Sequence, residues 1–310
     1  MKKTLLSILS PLVLIALIGC QVYEIEVEVD ADGGGHRNVT LAILDSSIFD
    51  EGVQMRDYRK LFSVEKRDGW DFELTEDDEG WFEKKFGFFQ REREIKGLKR
   101  WSRQSGDIRI NGNKRRGGHG KVEFRNTVEV HREGERLIYR ETFTWHGLRE
   151  AILDLQSEKF AKDLKDAYPF LGRRPLRELR ELAVEELDNS LPLLLESGDE
   201  DEQVARLIRR LAEQVADVVR GEKSKAELAA ISPAVENLLI DKSGYMERML
   251  GRDYPGVALS FATSLNLSVE MPGRIVGGNA DQIEEGRAKW NFDLSDAIAE
   301  PIVLQVESRP

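Results

Sequence analysis

Val122-Glu123-Phe124-Arg125-Asn126-Thr127-Val128-Glu129-Val130-His131-Arg132-Glu133-Gly134-Glu135-Arg136-Leu137-Ile138-Tyr139-Arg140-Glu141-Thr142-Phe143-Thr144-Trp145 alternates apolar and polar residues on both sides of a glycine. Period-two alternation puts one side-chain set on each face of a strand, so the stretch reads as a β-hairpin with one face buried. Val122, Phe124, Val128 and Val130 share a face on the first strand, and Leu137, Tyr139, Phe143 and Trp145 on the second. Each face has one polar interruption, Asn126 and Glu141. With a two-residue turn at Glu133-Gly134, Asn126 falls directly opposite Glu141. The pair reads as a cross-strand hydrogen bond; alternatively, burial raises the pKa of Glu141 and marks it for catalysis.

The same alternation recurs upstream, where Tyr23, Ile25, Val27 and Val29 are interleaved with Glu24, Glu26 and Glu28. Gly33-Gly34-Gly35 then make a turn before Val39, Leu41 and Ile43 continue the apolar face. Because a strand follows these glycines, they do not read as a phosphate loop. From Leu148 the period changes to that of helices, marked by Leu176, Leu179, Ala183 and Leu187 and by the stripe Val204, Leu207, Ile208, Leu211, Val215, Val218, Val219. A further helix is expected over Pro233–Leu250, and strands return from Val257. The expected fold class is α+β, a mostly antiparallel sheet with a helical insertion. Its divisions are 1–19 as a signal peptide, 20–147 as the first part of the α+β domain, 148–254 as the helical insertion and 255–310 as the closing strands.

The N-terminus has the three parts of an export signal: Lys2-Lys3, an apolar run from Thr4 to Gly19, and small-residue chemistry at its end. At 16 residues with Pro11 inside it, the run is short of the about 20 needed to span a bilayer. Leu17-Ile18-Gly19-Cys20 resembles the bacterial lipobox, which implies cleavage between Gly19 and Cys20 and lipidation of the Cys20 thiol. The chain's single cysteine is then consumed, leaving no disulfide and no thiolate metal site. Several acyl chains hold a protein on a membrane far more durably than one. Loss of Lys2 and Lys3 leaves 44 basic against 57 acidic residues, a net charge of −13, which argues against a nucleic-acid partner.

Near the other end, Glu270-Met271-Pro272-Gly273 leads through Asn279 to a strand with Ala288, Trp290, Phe292 and Leu294 on one face and Arg287, Lys289, Asn291 and Asp293 on the other. This Pro-Gly turn, Asn-containing link and Trp-centred strand resemble the closing motif of LppM-type bacterial lipoproteins. The resemblance implies an α+β module tethered outside the cytoplasmic membrane, at its outer face or at the outer membrane. It carries over no catalytic residue.

Four scattered histidines and the absence of a nucleophile elbow give no metal, cofactor or triad signature. Between Arg91 and Lys121, eleven Lys/Arg face three Asp/Glu, a local charge of +8. Lys114, Arg115 and Arg116 with Trp101 are therefore the candidates for contact with phosphate-bearing headgroups or an acidic partner. The expected function is non-catalytic, binding or structural, close to a membrane reached through acyl chains on Cys20. The ligand stays open among protein, lipid and glycan. The alternatives are a lipid carrier, needing an apolar cavity, and an envelope hydrolase with a dispersed site around Glu141.

Overall fold

The computed structural model describes residues 21–43, 55–77, 84–112, 121–169, 171–196, 209, 210, 213, 215, 217, 252–260, 263–298 and 300–310. The fold is α+β, with two mostly antiparallel sheets. The chain divides into two compact units. One contains Gly147–Asp253, and its described elements are helices; the other contains Ile15–Gly117, Lys121–His146 and Tyr254–Pro310 and holds both sheets.

In the β unit the described strands are β1 (Gln21–Val29), β2 (Gly35–Ile43), β3 (Asp71–Asp77), β4 (Lys84–Ile95), β5 (Arg109–Asn111), β6 (Glu123–Glu133), β7 (Arg136–His146), β8 (Thr263–Glu270), β9 (Arg274–Gly278), β10 (Gln282–Glu284), β11 (Arg287–Asp293) and β12 (Ile302–Arg309). They form a seven-stranded sheet in the order β10-β11-β8-β1-β2-β4-β3 and a five-stranded sheet in the order β5-β6-β7-β12-β9. The β1–β8 pair is parallel, Gln21 lying beside Thr263, so the last quarter of the chain is built into the centre of the larger sheet. β12 does the same in the smaller sheet, between β7 and β9.

The core follows from the alternation. Tyr23, Ile25, Val27 and Val29 are buried while Glu24, Glu26 and Glu28 face solvent. Leu265, Leu267 and Val269 of β8, Ala288 and Trp290 of β11, and Leu304 and Val306 of β12 are buried with them. A short helix, α1 (Met55–Leu61), brings in Tyr58, which with Phe62 just beyond the helix forms a stack at 4.5 Å. Tyr58 also stacks on Phe89 of β4. Burying an aromatic of this size contributes about 1.5–3 kcal/mol.

The helical unit contains α2 (Leu148–Ala167) and α3 (Arg173–Glu196). Arg149 reaches Asp188 and Arg180 reaches Asp154, an antiparallel pairing. Leu179, Ala183 and Leu187 are buried as the spacing demands, and Leu176 is half-buried. Of the expected 204–219 stripe, Val215 is helical and buried while Arg209, Arg210, Glu213 and Asp217 are exposed. The helix expected over Pro233–Leu250 lies outside the described residues. Val257, expected to open the closing strands, sits instead in α4 (Pro255–Ser260), where its amide bonds the Tyr254 carbonyl, and the strands resume at Thr263.

Candidate functional site

The hairpin that decided the fold also carries the first candidate site, in a different register from that expected. Gly134 and Glu135 are the two turn residues, so Asn126 pairs with Phe143 and Glu141 with Val128. The physical reason is the turn: Gly134 takes a positive φ of 59°, which glycine adopts without strain, and this centres the turn one residue later. The displacement is two residues along the partner strand and preserves the facing. Asn126 still donates from Nδ2 to Glu141 Oε1 at 2.6 Å, along a diagonal.

This pair is part of a larger buried network joining the two sheets. Arg37 of β2 points inward, 1 % exposed, between Val27 and Arg93 on the neighbouring strands. Its Nε donates to Asp107 Oδ2 at 2.8 Å, Nη1 to Tyr139 and to Glu141 Oε2 at 3.1 Å each, and Nη2 to Glu141 Oε1 at 2.8 Å and Asp107 Oδ1 at 3.2 Å. All five guanidinium N–H groups are thereby used. Asn126 Nδ2 also donates to Asp107 Oδ1 at 2.7 Å, and its Oδ1 accepts the Ile108 amide at 3.1 Å. Tyr139 donates its hydroxyl to Glu141. Arg91 adds a second cation 3.1 Å from Asp107, its guanidinium 4.8 Å from the Trp70 ring centre.

The charges balance, two guanidinium groups against two carboxylates. Burial alone would lower the Arg37 pKa, but Asp107 and Glu141 hold it well above its ordinary value. Burial pushes Asp107 up; Arg37 and Arg91 overcome that and leave its carboxyl below the usual range. The Tyr139 hydroxyl is raised by burial and by the Glu141 carboxylate. Glu141 is 0 % exposed and both its oxygens are occupied, which gives it no route to a substrate. The network ties the sandwich together and is not a hydrolytic centre.

Trp101 was expected at an interface. It is fully buried, its indole N–H donating to the Gly33 carbonyl at 3.0 Å and its ring set edge-on to Tyr139. The reason is that Leu98–Gln104 forms a 3-10 turn that folds over the β1–β2 turn and carries the ring into the core. Trp290 is buried and donates to the Asn279 carbonyl at 3.0 Å, which ties the Asn-containing link to β11. Gly19, Cys20, Lys114, Arg115 and Arg116 lie outside the described residues.

The second candidate is the open face of the seven-stranded sheet. A depression of about 400 Å³ there is lined by Glu24, Glu26, Asn266, Ser268, Lys289 and Asn291 among others. Asn291 bonds Asn266 across the strands, and Lys289 is held by Glu284 at 2.6 Å. Amide, hydroxyl and carboxylate groups offer hydrogen bonds there, while more of the exposed lining is apolar than polar. Among the described residues no group of three His, Cys, Asp or Glu is placed to hold a metal, and no helix is long and apolar enough to cross a membrane.

No family model matches the chain, and no curated protein matches it significantly. Among solved structures, the chain is similar to the folded domain of LppM (Rv2171) from Mycobacterium tuberculosis, determined by NMR. The match covers 94 % of this chain and 90 % of that one, at 8 % identity and a TM-score of 0.31, a degree of likeness that carries no argument about fold or function.

Proposed function

We propose that the chain is a lipid-anchored lipoprotein of the bacterial cell envelope whose β unit binds a polar ligand close to the membrane, without catalysis. The observation that carries this reading joins sequence to structure: Gln21, the residue after the lipobox cysteine, already belongs to β1. β1 is an interior strand, and Gln21 is buried with its side-chain oxygen accepting from Thr263 Oγ1 at 2.9 Å. Acyl chains on Cys20 would thus be attached almost directly to a rigid sheet rather than to a tether. The depression on that sheet is the surface offered to the ligand, where Glu24, Asn266 and Asn291 supply hydrogen-bonding groups on a lining that is otherwise more apolar than polar. The test is metabolic labelling with a tagged fatty acid. Wild type is expected to take up the label and Cys20→Ser to lose it; equal labelling of the two removes the anchor.

A further inference from the structure

Three cationic side chains outside both candidate sites, Arg109, Lys121 and Arg125, cluster on the outer face of the smaller sheet. Arg109 and Arg125 are directly paired residues of β5 and β6, a like-charge juxtaposition that is unfavourable in itself. One carboxylate, Glu123, serves both Arg109 and Lys121, the latter at 2.8 Å. Arg125 spends its Nε on the imidazole of His146 at 2.8 Å rather than on a carboxylate. His146 accepts that bond on Nε2, so the ring adds no charge. Burial, then Arg125 and Lys121, keep its pKa below the ordinary value despite Glu123. Among the described residues three cations therefore share one anion, and Lys121 and Arg125 stay exposed.

The topology says which rim of the sandwich this is. Gln21 is bonded to Thr263, and α4, just upstream of Thr263, donates its Gly256 amide to the Gly112 carbonyl after β5. Gly112 in turn donates to the Val122 carbonyl where β6 begins, and Glu123 pairs with His146 where β7 ends. The starts of β1, β8 and β6 and the ends of β5 and β7 thus meet at one rim, the rim that continues covalently into Cys20. The β6–β7 turn is at the opposite rim, where Arg132 donates to the Ala31 carbonyl at 2.7 Å.

Resting on the anchor reading above, we propose that this rim, through Lys121, Arg125 and Arg109, sits on an anionic lipid surface and acts as a second, electrostatic attachment beside the acyl chains. A protein of net charge −13 is repelled by such a surface unless it presents a segregated basic patch, and each basic residue at the surface strengthens attachment about fivefold. With Cys20 acylated, an introduced cysteine is the only free thiol, so one dye reports one place. The full-length acylated protein carrying Thr144→Cys, beside the cluster, or Glu135→Cys, at the opposite rim, is labelled and reconstituted with headgroup-labelled vesicles. These are phosphatidylcholine alone or with about 30 % phosphatidylglycerol.

Energy transfer from position 144 is expected to rise on the anionic vesicles, and to return to the neutral-vesicle level in about 0.5 M salt. Adding Lys121→Gln and Arg125→Gln should have the same effect, while position 135 changes little throughout. Both substitutions are at exposed positions, and an unchanged circular dichroism spectrum confirms that the fold persists. Equal transfer on the two vesicles, or no response to the double substitution, overturns the proposal. Dye uptake by the parent chain at Cys20 overturns the anchor itself, and is seen before any vesicle is added.

Discussion

Arg37 decides more than any other single residue. A buried ion pair is weak evidence of stability when compared with an apolar replacement, but removing one partner strands the other charges, at a cost of about 3–5 kcal/mol. Arg37→Met is therefore expected to lower the unfolding free energy by about that amount, because Asp107 and Glu141 lose their shared cation. Arg37→Met combined with Glu141→Leu removes one charge of each sign, leaves Arg91 paired with Asp107, and should recover part of the loss, as read from urea midpoints. If the double variant is no more stable than the single, the network is not a charge-balanced unit. Asp107 also sets the acid limb. Its folded pKa is depressed, so its contribution is complete above the ordinary carboxyl value of 3.8 and is lost as pH falls through the lower folded value. Asp107→Asn should flatten the stability profile below about pH 4; an unchanged acid limb would show that other carboxylates dominate it. Arg37 was legible in principle, since it stands two residues before Val39 on the apolar face of β2. Nothing in the spacing, however, tied it to Glu141 104 residues away.

At the scale of elements, turns rather than strands set the register. Period-two alternation identified both faces of β6 and β7, because burial acts on every second residue and leaves its mark locally. It could not place the turn, since a one-residue shift at Gly134 moves the pairing by two and conserves the faces. Two glycines separate conformational from steric demands. A Cβ on Gly134 meets nothing within 4 Å, so Gly134→Ala is expected to cost only the positive φ, about 1 kcal/mol. At Gly273, in the Pro-Gly turn, φ is 76° and a Cβ would lie 2.1 Å from the Arg309 carbonyl oxygen, which the C-terminal strand cannot vacate cheaply. Gly273→Ala should thus destabilise clearly more than Gly134→Ala, by about 2 kcal/mol or more. Equal denaturation midpoints for the two variants would mean that the β9–β12 edge yields at little cost.

Across the whole molecule, the feature least visible in the sequence is the parallel pairing of β1 with β8. Each strand proclaims its own two faces, but a partner 242 residues away is a matter of topology, and alternation is silent on it. The charge segregation was visible as a +8 segment, yet its members part company in the fold: Arg91 and Trp101 enter the core while Arg109 and Lys121 stay at the rim. The pairing also makes the β unit an all-or-none object. Removing residues 255–310 takes away β8 from beside β1 and β12 from beside β7, exposing Tyr23, Ile25, Tyr139 and Phe143, all nearly inaccessible in the intact unit. A chain ending at residue 254 is expected to lose cooperative unfolding and to bind apolar dyes, whereas the full chain shows a single sandwich transition reported by Trp101 and Trp290. Such non-local closure must be assembled before its contacts reward it, so folding should be slow, in the range of milliseconds to seconds. A truncated chain that still unfolds cooperatively would mean that Gln21–His146 holds a core of its own, and that the closing strands only decorate it.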